Sequence, residues 1–404
     1  MPDSTRMGVR YDEGSVGPPA SHSRAAVLVP MLNEAGHLDH ALGSILGQEL
    51  EGGLEILVID GGSTDGSHAI VARVARTDHR VRVLANPERR TPNALNIGLH
   101  AARSAYVVRM DAHASYPRDY IARGIERLER GDVAGVSGPQ LAVGDRPAGR
   151  AVALALRSPL GVGGARFRRR AMREEEVESG FCGVWRRDLL LELGGWDEGW
   201  PVNQDGELAA RIRARGGRIV CVPAMAAQYM TRSTLRALAR QYWRYGQYRV
   251  KTARRHSGSL RRSHVLPPGL VGVVASSALP TKLARPLRWA VVLYGTVLVA
   301  EGERMARRHS SPELALRTTA ALATMHLSWG VGFLEGCRRF GVPLRALTGL
   351  ARVAPRRGPS ATPGRQSRGL TTRNARRTAR AISARRCRQV RDARHRVAPV
   401  RAQG

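Results

Sequence analysis

Between Ala25 and Met110, short apolar runs that end in polar or glycine-rich residues alternate four times with segments of helical period. No other feature narrows the fold so far. Ala25-Ala-Val-Leu-Val-Pro30, Leu54-Glu-Ile-Leu-Val-Ile-Asp60, Val81-Arg-Val-Leu84 and Ala105-Tyr-Val-Val-Arg-Met110 have the length and β-branched content of buried strands. Between them Leu38, Leu42, Ile45 and Leu46 recur at helical spacing, as do Ile70, Val71 and Val74, and a third helix is read over 91–102. Repeated strand–helix units bury a parallel sheet beneath crossover helices, so the class expected is α/β, a Rossmann-like, mostly parallel sheet flanked by helices.

Every strand stops in polar or glycine-rich residues, and one rim of the sheet therefore collects Pro30, Glu34, Asp60, Ser63, Asp65, Arg89, Arg90, Asp111 and His113. Ligands of open α/β sheets bind at that rim. Helix N-termini and arginines there suit phosphate. If the fourth strand runs through Asp111 and His113, its alternation points both side chains one way, and an Asp/His pair suits a divalent cation that carries phosphate. The plainer account of the same pair is an Asp capping the next helix beside a solvated His. No GxGxxG or GxxxxGK[ST] follows the first strand, which excludes a dinucleotide fingerprint and a Walker loop.

Val27-Leu-Val-Pro-Met-Leu-Asn-Glu34, Val58-Ile-Asp-Gly-Gly-Ser-Thr-Asp-Gly-Ser67 and Asp111-Ala-His113 together resemble the signature of inverting family 2 glycosyltransferases of the GT-A fold. Within that family, Met110-Asp-Ala-His-Ala-Ser-Tyr-Pro117 and Thr324-Met-His-Leu-Ser-Trp-Gly-Val-Gly-Phe333 are similar to a branch typified by a succinoglycan biosynthesis protein. The resemblance spans roughly residues 24–340. It implies a nucleoside-diphosphate sugar donor held by Pro30, Asn33, Glu34, Asp60, Ser63, Asp65, Arg90, Asn96 and Asp111, with Asp60 on the base and Glu34 on the nucleoside. It implies Mn²⁺ or Mg²⁺ on Asp111 and His113, the latter standing where many relatives have Asp. Gly183 and Trp196 fall on the acceptor side. In Asn203-Gln-Asp-Gly-Glu207, Gln204 replaces the usual Glu, while Asp205 keeps the place of the catalytic base. Gln241 and Arg244 resemble the Gln-x-x-Arg-Trp motif over the donor diphosphate, but Trp243 precedes the Arg and Tyr245 follows it. Without the resemblance, Asp205 reads equally as the cap of a helix over 207–215, and 240–246 as an amphipathic helix packing its aromatics.

From residue 263 the texture changes to three uncharged apolar stretches, 263–281, 289–300 and 318–334, flanked by Arg and Lys. None comfortably reaches the twenty or so residues of a full span. The family resemblance makes this a helical membrane-associated region, either crossing, interfacial or a buried hairpin, in contact with anionic lipid. Two crossings are expected if both ends are cytosolic. The chain then divides into a disordered lead at 1–23, a catalytic domain at 24–250, the helical region at 251–345 and a basic disordered tail at 346–404. That tail carries much of the formal charge of +32, with fifteen Arg in its last fifty residues against Asp392 as the lone acid. The charge is almost all Arg, aromatics make up only 5% of the chain, and no stacking surface for single strands stands out, so no specific nucleic acid is expected. Cys182, Cys221, Cys337 and Cys387 form no CxxC pair, which fits a reducing cytosol.

The expected activity is inverting transfer of a sugar to a lipid-linked or polysaccharide acceptor at the cytoplasmic membrane, with the catalytic domain in the cytoplasm. A nucleotidyltransferase would want a basic glycine-rich loop where Asn33-Glu34 stands. A nucleic-acid-binding protein would bind by charge alone, with a steep salt dependence. A catalytically idle scaffold of the same fold would bind no nucleotide.

Overall fold

The computed structural model describes residues 23–351 apart from 164, 169–172 and 283. The expected lead, but for its last residue, and the tail beyond 351 lie outside the described residues. The described residues form one compact unit.

The first half follows the alternation read above: β1 (Ala25–Met31), α1 (Ala35–Leu46), β2 (Leu54–Asp60), α2 (Ser67–Thr77), β3 (Val81–Ala85), α3 (Thr91–Ala101) and β4 (Tyr106–Arg109). Next come β5 (Ala114–Ser115), α4 (Tyr120–Glu129), β6 (Gly135–Gly138), β7 (Gln140–Val143), α5 (Pro147–Arg157) and α6 (Pro159–Val162). They lead to β8 (Glu175–Glu176), β9 (Phe181–Arg186), α7 (Arg187–Glu192), α8 (Gln204–Ala214), β10 (Ile219–Cys221) and β11 (Ala227–Met230). The chain closes with α9 (Leu235–Arg255), α10 (Arg262–Ser277), α11 (Ala284–Ala306), α12 (Pro312–Phe340) and α13 (Leu344–Ala351).

The main sheet runs β3-β2-β1-β4-β9-β6-β10-β8. β3, β2, β1 and β4 are parallel neighbours, as the alternation requires. β9 enters antiparallel between β4 and β6, which makes the sheet mixed beyond β4. β1 is buried on both faces: Val27 and Val29 face one core cluster, Ala26 and Leu28 the other. Burying a side chain of this size contributes about 1.5–3 kcal/mol, which is why such strands carry no polar face. The chain leaves β1 toward β2 on one side and returns to β4 on the other. Strand order therefore reverses at the carboxyl end of β1, where a crevice opens. A small second sheet, β5-β11-β7, closes over that end.

The helical region is not a separate body. The boundary expected at residue 250 falls inside α9, and α12 packs along α9 at backbone distance. A Cβ on Gly246 would lie 2.2 Å from the Trp329 carbonyl, and one on Gly332 would lie 2.0 Å from that of Trp243. Among the described residues no helix is long and apolar enough to cross a membrane. The stretches 289–300 and 318–334 are the middles of α11 and α12, which carry charge toward their ends, while 263–281 begins in α10 and runs past its end; among the described residues the expected pair of crossings finds no matching helix.

Candidate active site

β4 ends at Arg109, earlier than expected, and Asp111 and His113 follow it in a turn. Strand alternation therefore does not align those two, as read from the sequence; Asp111 pairs instead with Arg109. The Arg109 Nε donates to Asp111 Oδ1 at 2.8 Å. Its Nη1 donates to both carboxylate oxygens of Asp205 at 2.8 and 2.6 Å. One buried guanidinium thus holds a carboxylate from the β4 end and another from α8. The sequence reading missed Arg109, although a charged residue inside an apolar strand run requires a partner.

Asp205 does not cap its helix. α8 begins at Gln204, and Asn203 takes the cap position in the left-handed region at φ 64°. Burial raises the Asp205 carboxyl above the usual range, and Arg109 opposes that rise. The indole N–H of Trp196 meets no acceptor in hydrogen-bond geometry, yet it lies near enough to Asp205 to favour its charged form. α8 is fixed by Glu207, which is fully buried, accepts from Arg211 and faces His256 Nε2 at 3.2 Å. Arg211 in turn donates to the Leu193 and Gly195 carbonyls. Asp111 is held ionised: burial pushes its pKa up, but Arg109 and then His113 pull it below the usual range. Burial disfavours the His113 imidazolium, while Glu34, at 3.1 Å from Nδ1, and Asp111 raise its pKa above the ordinary value.

Around this point lies a cavity of about 1260 Å³. Asp111, His113, Gln204, Asp205, Gln241 and Arg244 all line it, so one hollow brings together the residues expected from the sequence to serve as base, metal ligands and diphosphate contacts. Gln241 donates to the Tyr245 hydroxyl at 3.0 Å, and Tyr242 packs near Trp329 of α12; all four side chains line the cavity. Glu34 touches the site through His113.

Pro30, Asn33, Asp60, Ser63, Asp65 and Arg90 are not on the cavity's lining; Pro30 and Asp60 stand at the carboxyl ends of β1 and β2, and Asn33, Ser63 and Asp65 in the loops that follow those strands. The Asn33 N–H donates to Ser63 Oγ, the Thr64 N–H to Asn33 Oδ1, and the Ser63 hydroxyl to Asp60 Oδ1 at 2.7 Å. His68 Nδ1 lies 3.1 Å from the other Asp60 oxygen. Asp65 accepts from the Ala35 N–H, at the start of α1, and from Ser67. Arg90 is exposed at the cap of α3. Asn96 stands elsewhere: it exchanges hydrogen bonds with the Trp196 backbone and borders, with Trp196, a second hollow of about 770 Å³. Gly183 lies within β9, where a Cβ would strike the Trp185 ring at 2.3 Å.

Among the described residues no three or more His, Cys, Asp or Glu side chains converge as a metal set. Asp111 and His113 offer two ligands on the cavity wall. That donor set fits a cation whose remaining ligands come from a diphosphate and water.

Residues 26–194 match the profile of Glycosyl transferase family 2. The chain is 30% identical over 313 residues to the succinoglycan biosynthesis protein ExoA of Rhizobium meliloti, covering 76% of this chain and 93% of that protein. This chain is a family 2 glycosyltransferase. The glycosyltransferase is also 22% identical, over 55% of its own length and 71% of the relative's, to the dolichyl N-acetyl-alpha-D-glucosaminyl phosphate 3-beta-D-2,3-diacetamido-2,3-dideoxy-beta-D-glucuronosyltransferase of Methanococcus voltae. Its fold is shared with the mannosyltransferase PcManGT from Pyrobaculum calidifontis, solved with GDP-Man and Mn²⁺, at TM-score 0.51 and 22% identity, covering 78% and 87% of the two chains.

Proposed function

We propose that this glycosyltransferase moves one sugar, with inversion, from a nucleoside-diphosphate donor to a lipid-linked or growing glycan acceptor at the cytoplasmic membrane surface. The observation that carries the reading is the sharing of Arg109 by Asp111 and Asp205, which sets a base and a diphosphate-end carboxylate at one point of one cavity. Asp205 takes the proton of the acceptor hydroxyl as that oxygen bonds to the anomeric carbon. The bond from that carbon to the diphosphate oxygen breaks, and its electron pair leaves with the diphosphate. Burial raises the affinity of Asp205 for that proton, and Arg109 keeps the carboxylate ionised until it is needed. Arg244 and Gln241 face the departing diphosphate. Asp111 and His113 would hold Mn²⁺ or Mg²⁺, which neutralises leaving-group charge when bound. Asp60, Glu34 and the loops they stitch hold the nucleoside. The metal seen with GDP-Man in PcManGT supports the divalent cation, and the substrate named for the Methanococcus voltae relative supports a lipid-linked acceptor.

A calorimetric screen of nucleoside diphosphates with and without Mn²⁺ tests the donor site. Asp205→Asn should lower kcat by about 10²–10⁴-fold, the usual share of a general base, while leaving nucleotide affinity within about twofold. Normal turnover in that variant refutes the assignment.

Attachment to the membrane rests on α11, where Trp289, Val292 and Leu293 are exposed at 73, 56 and 65% next to Arg285 and Arg288. An apolar strip with cationic flanks suits the interface of an anionic bilayer. The protein should float with vesicles containing phosphatidylglycerol, and Trp289→Glu paired with Leu293→Glu should leave it in the dense fractions. Equal flotation of the doubly substituted chain rules α11 out as the contact.

A further inference from the structure

His113 shows its two ring nitrogens to different surroundings. Nδ1 lies 3.1 Å from Glu34 Oε1. An ionised carboxylate only accepts, so in this contact Nδ1 carries the hydrogen and donates, which leaves the lone pair of the neutral ring on Nε2. Nε2 has no hydrogen-bond partner among the described residues, and unlike the Trp185 and Trp196 indole nitrogens it is not a buried atom left without one. It is therefore the nitrogen that solvent reaches, in a side chain that is 20% exposed and lines the cavity.

The rest of His113 is fixed by the small sheet. The Met230 N–H donates to the His113 carbonyl at 3.1 Å, and β11 pairs with β5 so that Tyr229 stands opposite Ala114. The Tyr229 ring meets the imidazole edge to face, with centroids 5.2 Å apart. These contacts set the backbone and the plane of the ring but not its chemistry. A half-turn of the ring would put carbon where each nitrogen now stands, and the hydrogen of a neutral imidazole has two nitrogens to choose from. The Glu34 carboxylate decides both, because only this orientation and this tautomer give it a donor.

Glu34 is free for that task. It occupies the cap position of α1, but its side chain makes no cap hydrogen bond; Asp65 instead takes the N–H of Ala35 at the helix start. The Glu34 N–H donates to Ser67 Oγ at 2.8 Å, and its carbonyl accepts from the His37 and Leu38 N–H groups, so the backbone beneath the carboxylate is held on both sides. Glu34 itself does not line the cavity, and it touches the wall through the imidazole. A histidine that ligates a metal commonly donates its other N–H to a carboxylate, which fixes tautomer and ring and makes the free nitrogen a stronger ligand.

We propose that Glu34 is a positioning residue for the divalent cation: it holds His113 so that Nε2 is the ligand atom, and the loop after β1 thereby sets the metal affinity of the turn after β4. The inference rests on the reading of Asp111 and His113 as holders of the donor's cation. It adds the ligating nitrogen and the residue that selects it.

The test titrates UDP and GDP into the full chain by calorimetry, once with Mn²⁺ and once with EDTA. The ratio of the two affinities measures what the cation adds, and any contact of Glu34 with the nucleoside cancels from it. Glu34→Gln should lower that ratio at least tenfold, the usual cost of losing the carboxylate behind a ligating histidine. In a His113→Asp background, which keeps a ligand but has no ring to orient, the same substitution should change the ratio less than twofold. An unchanged ratio in Glu34→Gln overturns the assignment. So does an equal tenfold loss in the His113→Asp background, which would mean that Glu34 acts through its charge or as a ligand itself. A parent chain that binds neither nucleotide in either buffer defeats the donor reading, and one that binds without gaining from Mn²⁺ defeats the cation reading; the role of Glu34 falls with either.

Discussion

The loops that follow β1 and β2, outside the cavity's lining, and the α9–α10 end of the cavity are built on opposite principles. At the β1–β2 end the polar side chains are used up by one another: Asn33, Ser63, Asp65 and Ser67 tie two loops together and leave Asp60 braced by Ser63 and His68. At the α9–α10 end arginines outnumber acids, and Arg249 and Ser259 keep buried donors unanswered. The first end is shaped before any ligand arrives, and its polar groups stabilise the fold. The second end stores unfavourable charge, and a bound anion would relieve it. Substitutions at the two ends should therefore move stability in opposite directions.

Arg109 holds both carboxylates, Asp111 and Asp205, and its loss should have the largest effect. In Arg109→Met, kcat/KM at pH 7 should fall by about 10²-fold or more, since a misplaced catalytic group commonly costs that much. The pH profile carries the sharper sign. Asp205 must be ionised to act as base, its pKa is raised by burial, and Arg109 lowers it. The acid limb should therefore stand above the ordinary Asp value of about 3.9 in the parent and move higher still in Arg109→Met. An unmoved limb would show that Arg109 tunes neither carboxylate. Next ranks Arg249→Met, which should raise Tm because it removes a buried charge that has no carboxylate partner among the described residues. The smallest effect belongs to Asp65→Ala, which should lower stability by about 1 kcal/mol, as for a lost helix cap. Ser67, followed by the Ala35 N–H, holds the Asp65 carboxyl below its usual pKa. Its contribution should be whole above about pH 4, the unfolded value, and fade as pH falls through the folded one. Urea unfolding at pH 7 and pH 3 measures both. A variant at either end whose sign matches the other end would erase the contrast.

The parallel half was legible because β1, β2 and β4 are buried on both faces, which leaves an apolar run with a polar stop. The site was half legible. Asp111, His113, Asp205, Gln241 and Arg244 fall on one wall, but the sequence does not show that Asp111 leaves the strand, because a turn begun at Met110 looks no different from one more strand residue. Asn96 was misplaced for a similar reason: on α3 its side chain turns to the Trp196 loop, a contact across a hundred residues that no local pattern encodes. The insertion of β9 was also hidden. It depends on Cys182 at φ 48° and on a register shift opposite Val136 and Gly138, which pairing decides and composition does not. The basic end was visible only as an excess of Arg, since an unmatched charge is a property of what is missing nearby.

The glycine contact between α9 and α12 couples these ends to the surface. Where Gly246 and Gly332 let two backbones touch, neither rod slides on a cushion of side chains. A force that tilts the 29-residue α12 is handed directly to the helix that bears Arg244 and Arg249. The two guanidinium groups of α9 are thereby tied to the whole length of α12 as to one stiff body.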